Sequence, residues 1–205
     1  MPNCRPNLQA ETESTPLTTP AGSSPWQLRQ AALTIRAGGV VAYPTEAVYG
    51  LGCDPLDGAA VRRIFQLKGR TASKGVILIA ADLAQLRPFL APLNDIDMAP
   101  ILASWPGPNT WIMPAATALP AWLNGGMETI AVRVTAHPLS AALCRASGMP
   151  LVSTSANPAG RRPARSALEV RRYFGEELEM IVNGALGEQA QPSRIRDART
   201  GAVLR

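Results

Sequence analysis

The sequence is poorest in histidine and lysine. Of its 205 residues one is histidine, His137, and two are lysine, Lys68 and Lys74. A lone histidine cannot build a multi-histidine metal site and leaves no Ser-His-acid arrangement to expect. Followed by Pro138, it reads as structural. Cysteine is scarce too. Cys4, Cys53 and Cys144 are odd in number and widely spaced, which excludes a disulfide framework or a cysteine-rich zinc site and fits a reducing cytoplasm. No apolar run approaches the ~20 residues that span a bilayer, so no membrane partner is expected. The N-terminus has no apolar stretch, and Glu11 and Glu13 argue against an import sequence. There is no P-loop, no dinucleotide glycine fingerprint and no tight carboxylate cluster for a dedicated metal cage. A nucleotide, if bound, occupies an uncommon kind of site.

What is present fits one globular α/β domain with a tail. Hydrophobic residues make up 46% and charged residues 17%. A net charge of +5 suits an anionic partner, a nucleotide or RNA, without choosing between them. The make-up of that charge says more. Eighteen of the twenty basic residues are arginine, yet both lysines fall in one short segment. Lysine is a compact point charge that meets a phosphate or carboxylate without the geometric demands of a guanidinium fork.

Residues 1–23 are rich in Pro, Thr, Ser and Asn, lack a hydrophobic period and read as a disordered tail. Order is expected from Ser24, a candidate N-cap, with Pro25 at the first helical position and Gln27 completing a capping box. Leu28, Ala31, Ala32 and Ile35 recur at helical spacing until Gly38-Gly39 stops the helix. Strands are expected at Val40–Pro44, Val76–Ala80, Thr110–Met113, Thr129–Val134, Leu151–Ser153 and Met180–Val182. Helices are expected at Ala59–Leu67, Asp82–Leu90 and Leu139–Ala146. The segment from Ile195 to Leu204 suggests a terminal hairpin or two short extended pieces. The alternation predicts an α/β domain over residues 24–205, with a twisted, mixed sheet and flanking helices.

Three segments look chemical. Tyr43–Gly52 follows a strand and carries Thr45, Glu46 and two glycines, a turn that would let a ligand approach the backbone. Lys68, Arg70 and Lys74 place three positive charges within seven residues without an acid between them. They either cap the end of a helix or share an anion. Ser153–Asn157 holds three hydroxyls and an amide in five residues, suited to a phosphate or a purine edge, or to an ordinary turn. Thr129 and Arg133, four apart on a strand, face one side, and Arg133 could grip a carboxylate. The rigid Pro106–Thr110 loop is a further candidate. The basic run Arg161, Arg162, Arg165, Arg171 and Arg172 is either a solvated face or an RNA contact.

In order along the chain, YPTEAVYGLGCDP, LKGR with a lysine four further on, WPGPNTW, TIAVRVTAHPL, PLVSTSAN and PSRIRDARTG resemble the YrdC/TsaC family of threonylcarbamoyl-AMP synthases. The resemblance runs from about Trp26 to Arg205 and is closest to the short, single-domain bacterial form. It implies a large, positively charged concave cavity. It implies that Thr45 and Arg133, with Thr129, hold L-threonine, and that Lys68, Arg70 and Lys74 hold the phosphates and the reacting carboxylate. Ser155 and Asn157 would complete an ATP site, to which Thr129, Ser166, Ser193 and Arg205 are further candidates. Some relatives carry a histidine where this chain has Ile79. After Asn157 the chain reads Pro-Ala-Gly where a Leu-Ser-Gly-like stretch is common.

The implied reaction joins L-threonine, bicarbonate and ATP, with Mg²⁺ accompanying ATP and no permanently bound cofactor, for the threonylcarbamoyl modification of tRNA adenosine. Separate tRNA threonylcarbamoyl-transferase proteins would act downstream, in the cytoplasm. The rival reading is a tRNA- or double-stranded-RNA-binding module without chemistry, motivated by the basic balance and the arginine run.

Overall fold

Helix α1 (Pro25–Arg36) begins where its capping residues direct it. The Ser24 hydroxyl accepts from the Gln27 N–H at 3.1 Å, and Pro25 takes the first turn. Such a cap contributes about 1 kcal/mol. Leu28, Ala31, Ala32 and Ile35 are the buried side chains of α1. At the far end Arg36 donates to the carbonyls of Ala146 and Ser147, at 2.8 and 3.1 Å. The computed structural model describes residues 24–70 and 75–204. The tail expected over residues 1–23 lies outside the described residues, as do Lys74 and Arg205.

Eight strands follow: β1 (Val41–Pro44), β2 (Tyr49–Gly52), β3 (Ile77–Ala80), β4 (Asn109–Pro114), β5 (Thr129–Val134), β6 (Leu151–Ser155), β7 (Met180–Ile181) and β8 (Arg194–Asp197). They form one sheet in the order β7-β1-β2-β6-β3-β5-β4-β8. The β1/β7, β3/β5 and β4/β8 pairs are parallel and the rest antiparallel, so the sheet is mixed, as expected. The helices are α2 (Gly58–Lys68), α3 (Leu83–Leu86), α4 (Met98–Ala103), α5 (Ala121–Asn124), α6 (Pro138–Ser147) and α7 (Ala167–Phe174). The C-terminal segment folds as a hairpin, with Arg196 bridging back to Val203. Among the described residues no helix is long and apolar enough to cross a membrane.

The structure differs from the sequence expectation at three places. Tyr49–Gly52, read as part of a turn, is a strand antiparallel to β1. Gly52 serves packing: a Cβ there would lie 2.6 Å from a Tyr43 ring carbon and 2.6 Å from the Val152 carbonyl oxygen. The helix expected over Asp82–Leu90 is one turn of α3 followed by a 3-10 turn at Arg87–Phe89. Pro88 lacks the N–H that an α-helix needs in its interior. The short helices α4 and α5 had no periodic signal long enough to announce them.

Two apolar layers enclose the sheet. Leu78, Trp111, Met113, Val132 and Val152 pack into the larger core with Val61, Ile64 and Phe65 of α2. On the other face Val41, Tyr43, Ile79 and Leu151 pack against α1 and α6 through Leu28, Ile35, Leu139 and Leu143. This second layer covers only part of its face. Beyond it Ser153, Ile77, Ala131 and Ile112 stand in register across β6, β3, β5 and β4. All four line a cavity.

Candidate functional site

That register row forms the floor of a cavity of about 460 Å³, within the usual range for small-molecule sites. The loop from Thr45 to Val48, the end of β6, Arg70, α5 and the Pro192-Ser193 segment build its walls. A second hollow, of about 630 Å³, is lined by Asp54, Asp82 and mainly apolar side chains, with no basic residue, and so does not suit an anion.

Six of the residues singled out from the sequence line the first cavity: Thr45, Arg70, Thr129, Arg133, Ser155 and Ser193. Thr45 follows β1 and is buried. Its hydroxyl donates to the Val48 carbonyl at 2.7 Å, which leaves the oxygen free to accept. Thr129 and Arg133 come from the same face of β5, because side chains two and four apart on a strand point one way. Ser193 is buried, with its hydroxyl 2.9 Å from that of Thr110. Arg70 follows Gly69, the left-handed cap of α2 at φ 60°. Its Nη2 donates to the Gly75 carbonyl at 2.9 Å, and its guanidinium lies 5.4 Å from the centre of the Phe65 ring. Burial pulls the Arg70 guanidinium below its ordinary value, yet arginine stays charged throughout the physiological range.

Both cavity arginines are incompletely satisfied. The Nε–H groups of Arg70 and Arg133 are buried and make no hydrogen bond among the described residues. A buried donor without a partner costs about 1–3 kcal/mol. Arg70 and Arg133 are the basic side chains among the described lining residues, which suits an anionic ligand.

Lys68 and Asn157 stand behind the wall and are joined to each other. Lys68, the last residue of α2, is buried. Its ammonium donates to the Ser155 carbonyl, to the Asn157 carbonyl at 2.9 Å and to Asn157 Oδ1 at 3.3 Å. The Ser155 hydroxyl donates to the same Oδ1 at 2.6 Å, and Asn157 Nδ2 donates to the Arg161 carbonyl at 2.8 Å. Lys68 therefore ties α2 to the turn after β6 and fixes where the Ser155 side chain stands. Burial, with the charge of Arg70 second, pulls the Lys68 ammonium down to about 8. Ser166 is exposed and caps α7, accepting from the Glu169 N–H at 3.2 Å, and it does not line the cavity. Lys74 and Arg205 lie outside the described residues. Arg161, Arg162, Arg165, Arg171 and Arg172 are all exposed. Arg161 stacks 5.9 Å from the Tyr173 ring centre, and Arg165 donates to the Ala47 carbonyl at 3.2 Å.

The position where some relatives carry histidine, Ile79, is fully buried in the layer against α1 and α6 and stands opposite Arg133 in register.

Sequence reasoning gave Glu46 no role. It is buried in the cavity wall, with a carboxylate oxygen 3.2 Å from Arg133 Nη2. The only sequence signal was an acid inside an otherwise basic, hydroxyl-rich set of motifs. His137 is also close by, and is structural. It caps α6, its Nδ1 accepting from the Ser140 N–H at 3.3 Å while Nε2 lies 3.0 Å from the Ala185 carbonyl. That pattern needs the neutral ring protonated on Nε2.

Burial, the largest influence, holds the His137 imidazolium below its ordinary value. The unfolded chain therefore takes up a proton that the folded chain refuses, and stability falls as pH drops from about 6.5 through the lower folded value. Denaturant unfolding at pH 7 and at pH 5 checks this. Wild type should lose more stability on acidification than a His137→Asn variant, whose side chain caps without titrating.

Comparisons with known proteins bear on the family and the fold. The sequence profile of the Sua5/YciO/YrdC family, described as "Telomere recombination", matches residues 33–205. The chain is 58% identical over 186 residues to a threonylcarbamoyl-AMP synthase of Halorhodospira halophila, covering 91% of this chain and 97% of that protein. It is 58% identical over 180 residues to a threonylcarbamoyl-AMP synthase of Nitrosococcus oceani, covering 88% and 97% of the two chains. The structure of P. abyssi Sua5 complexed with L-threonine superposes with a TM-score of 0.81 at 37% identity, covering 88% of this chain. This chain spans about half of that longer protein, 54% of its length.

Proposed function

Because the chain belongs to the Sua5/YciO/YrdC family, we propose that it forms L-threonylcarbamoyl-adenylate from L-threonine, bicarbonate and ATP, releasing pyrophosphate. The observation that carries this reading is the 58% identity to a threonylcarbamoyl-AMP synthase over 97% of that protein's length. The cavity supplies the place for the chemistry.

The deprotonated amine of threonine attacks CO₂ derived from bicarbonate. An N–C bond forms, water is lost from bicarbonate, and a carbamate results. A carbamate oxygen then attacks the α-phosphorus of ATP, the bond to the bridging oxygen breaks, and pyrophosphate leaves with those electrons. Two anions must meet, which fixed positive charge in a water-poor pocket makes less costly. Arg133 grips the threonine carboxylate and Thr45 the substrate's polar groups, with Thr129 beside them. Arg70 meets the phosphates, with Lys74 expected to join it, and Ser155 and Ser193 offer hydroxyls to the nucleotide. Two arginines and one glutamate are the charged side chains among its described lining residues, a balance that supports the reading of an anion site. Holding the reacting atoms together supplies much of the rate.

Mg²⁺ enters as the complex of ATP. It would help the pyrophosphate to leave. The adenylate passes to separate tRNA threonylcarbamoyl-transferase proteins. The relatives are named for synthesis, so they favour an enzyme over an RNA-binding module without chemistry. Radiolabelled bicarbonate tests the proposal. Label should enter an acid-labile adenylate only when threonine and ATP are both present. Incorporation without threonine would exclude the assignment.

A further inference from the structure

The buried pair of Glu46 and Arg133 joins distant parts of the chain. Glu46 lies in the loop between β1 and β2, and Arg133 lies on β5, with β6 and β3 between β2 and β5 in the sheet. Both side chains are 8% exposed, and Glu46 Oε2 stands 3.2 Å from Arg133 Nη2. The other oxygen of Glu46 accepts from the Thr135 hydroxyl at 2.7 Å and from the Ala136 N–H at 3.2 Å. Its backbone is held as well. The Glu46 carbonyl accepts from the Gln189 N–H at 3.1 Å, and Gly187 packs so closely that a Cβ there would lie 2.9 Å from Glu46 Cα.

An acid in the wall of a cavity that takes anions opposes binding unless it has another task. Here the carboxylate is held rigidly by neutral donors on one side, and its other side faces the guanidinium. Arg133 makes no other ion pair among the described residues, and its Nε–H is unbonded. A long, flexible side chain in that state needs something to fix its rotamer before a ligand arrives.

We propose that Glu46, braced by Thr135, is a positioning residue that sets the orientation in which Arg133 meets the carboxylate of the amino-acid substrate. This rests on the reading of the cavity as a threonine site. The charge of Glu46 meets the guanidinium at Nη2, and Arg133 also lines the cavity. Selection for an α-amino acid then depends on a contact between protein residues as well as on contacts with the ligand.

The test is steady-state kinetics on the full chain, varying threonine and ATP separately. Glu46→Gln keeps the shape and an acceptor for Thr135, but removes the charge that holds Arg133. The threonine KM should rise about 10-fold or more, on the scale expected when a binding group is misplaced by about an ångström. The ATP KM should stay within about twofold. Thr135→Val should move the threonine KM in the same direction, and Thr135→Ser, which keeps the hydroxyl, should restore it. A purely architectural role would change stability, or both KM values together. An unchanged threonine KM in Glu46→Gln, or equal shifts for both substrates, overturns the inference. If Glu46→Gln does not fold, the Thr135 pair decides alone: equal threonine KM values in the valine and serine variants overturn it. A wild-type chain without threonine-dependent turnover would instead overturn the reading of the site, and the inference with it.

Discussion

An Arg70→Ala variant is expected to keep its fold and lose pyrophosphate release by about 10²- to 10³-fold, the scale seen when one preorganised donor to developing charge is removed. The structure separates the two effects. Among the described residues Arg70 makes one hydrogen bond, to the Gly75 carbonyl, and it stacks on the edge of the core at Phe65. It is half-buried and closes no ion pair among the described residues. Its loss therefore costs little in packing. Its place on the cavity wall is what the substitution would change. Pyrophosphate release with saturating threonine, bicarbonate and Mg-ATP checks the activity, and denaturant unfolding checks the fold. Full activity in this variant would remove Arg70 from the anion site.

Lys68→Met is expected to be as inactive, for a different reason. The ammonium is spent on Ser155 and Asn157, so its removal leaves acceptors in a buried turn without their donor. Each such group costs about 1–3 kcal/mol, and the turn should loosen. Activity should fall by more than about 10²-fold, with local loss of amide-exchange protection around residues 155–157. Lys68→Arg should not rescue it. Three acceptors converge on a single buried point, which an ammonium can serve and a planar fork cannot. The same geometry gives a pH limit. Because the Lys68 ammonium is pulled down to about 8, the turn should lose its tether above that pH. Activity should then decline even though the threonine amine is more fully deprotonated. A Lys68→Arg variant with wild-type rates would show that the charge alone matters, not the turn.

Much of this was legible in the sequence because it was local. Ser24, Pro25 and the spacing of Leu28, Ala31, Ala32 and Ile35 specify α1 by capping and period alone. The strands with β-branched runs, such as Val40–Pro44 and Thr129–Val134, were legible for the same reason. Thr129 and Arg133 could be placed on one face by simple alternation. What depended on tertiary packing was not legible. The glycines of Tyr49–Gly52 read alike in the sequence, whereas Gly50 lines the cavity and Gly52 gives room to Tyr43 and a neighbouring backbone. Lys68 read as one of three neighbouring cations that cap a helix end or share an anion. The three oxygens that accept from it belong to two residues, Ser155 and Asn157, in a turn 87 and 89 positions further on. Glu46 was invisible as a partner of Arg133 because the contact spans four strands of the sheet order. The cavity itself exists because α1 and α6 leave part of one sheet face uncovered, a fact that no single segment records.

The most direct test of the account is product analysis by mass spectrometry after incubating the protein with L-threonine, bicarbonate and Mg-ATP. The account predicts a species with the mass of threonylcarbamoyl-adenylate, formed in equal amount with pyrophosphate. It should shift by one mass unit with ¹³C-bicarbonate and vanish without threonine. Release of ADP and phosphate, or pyrophosphate release that ignores threonine, would contradict it.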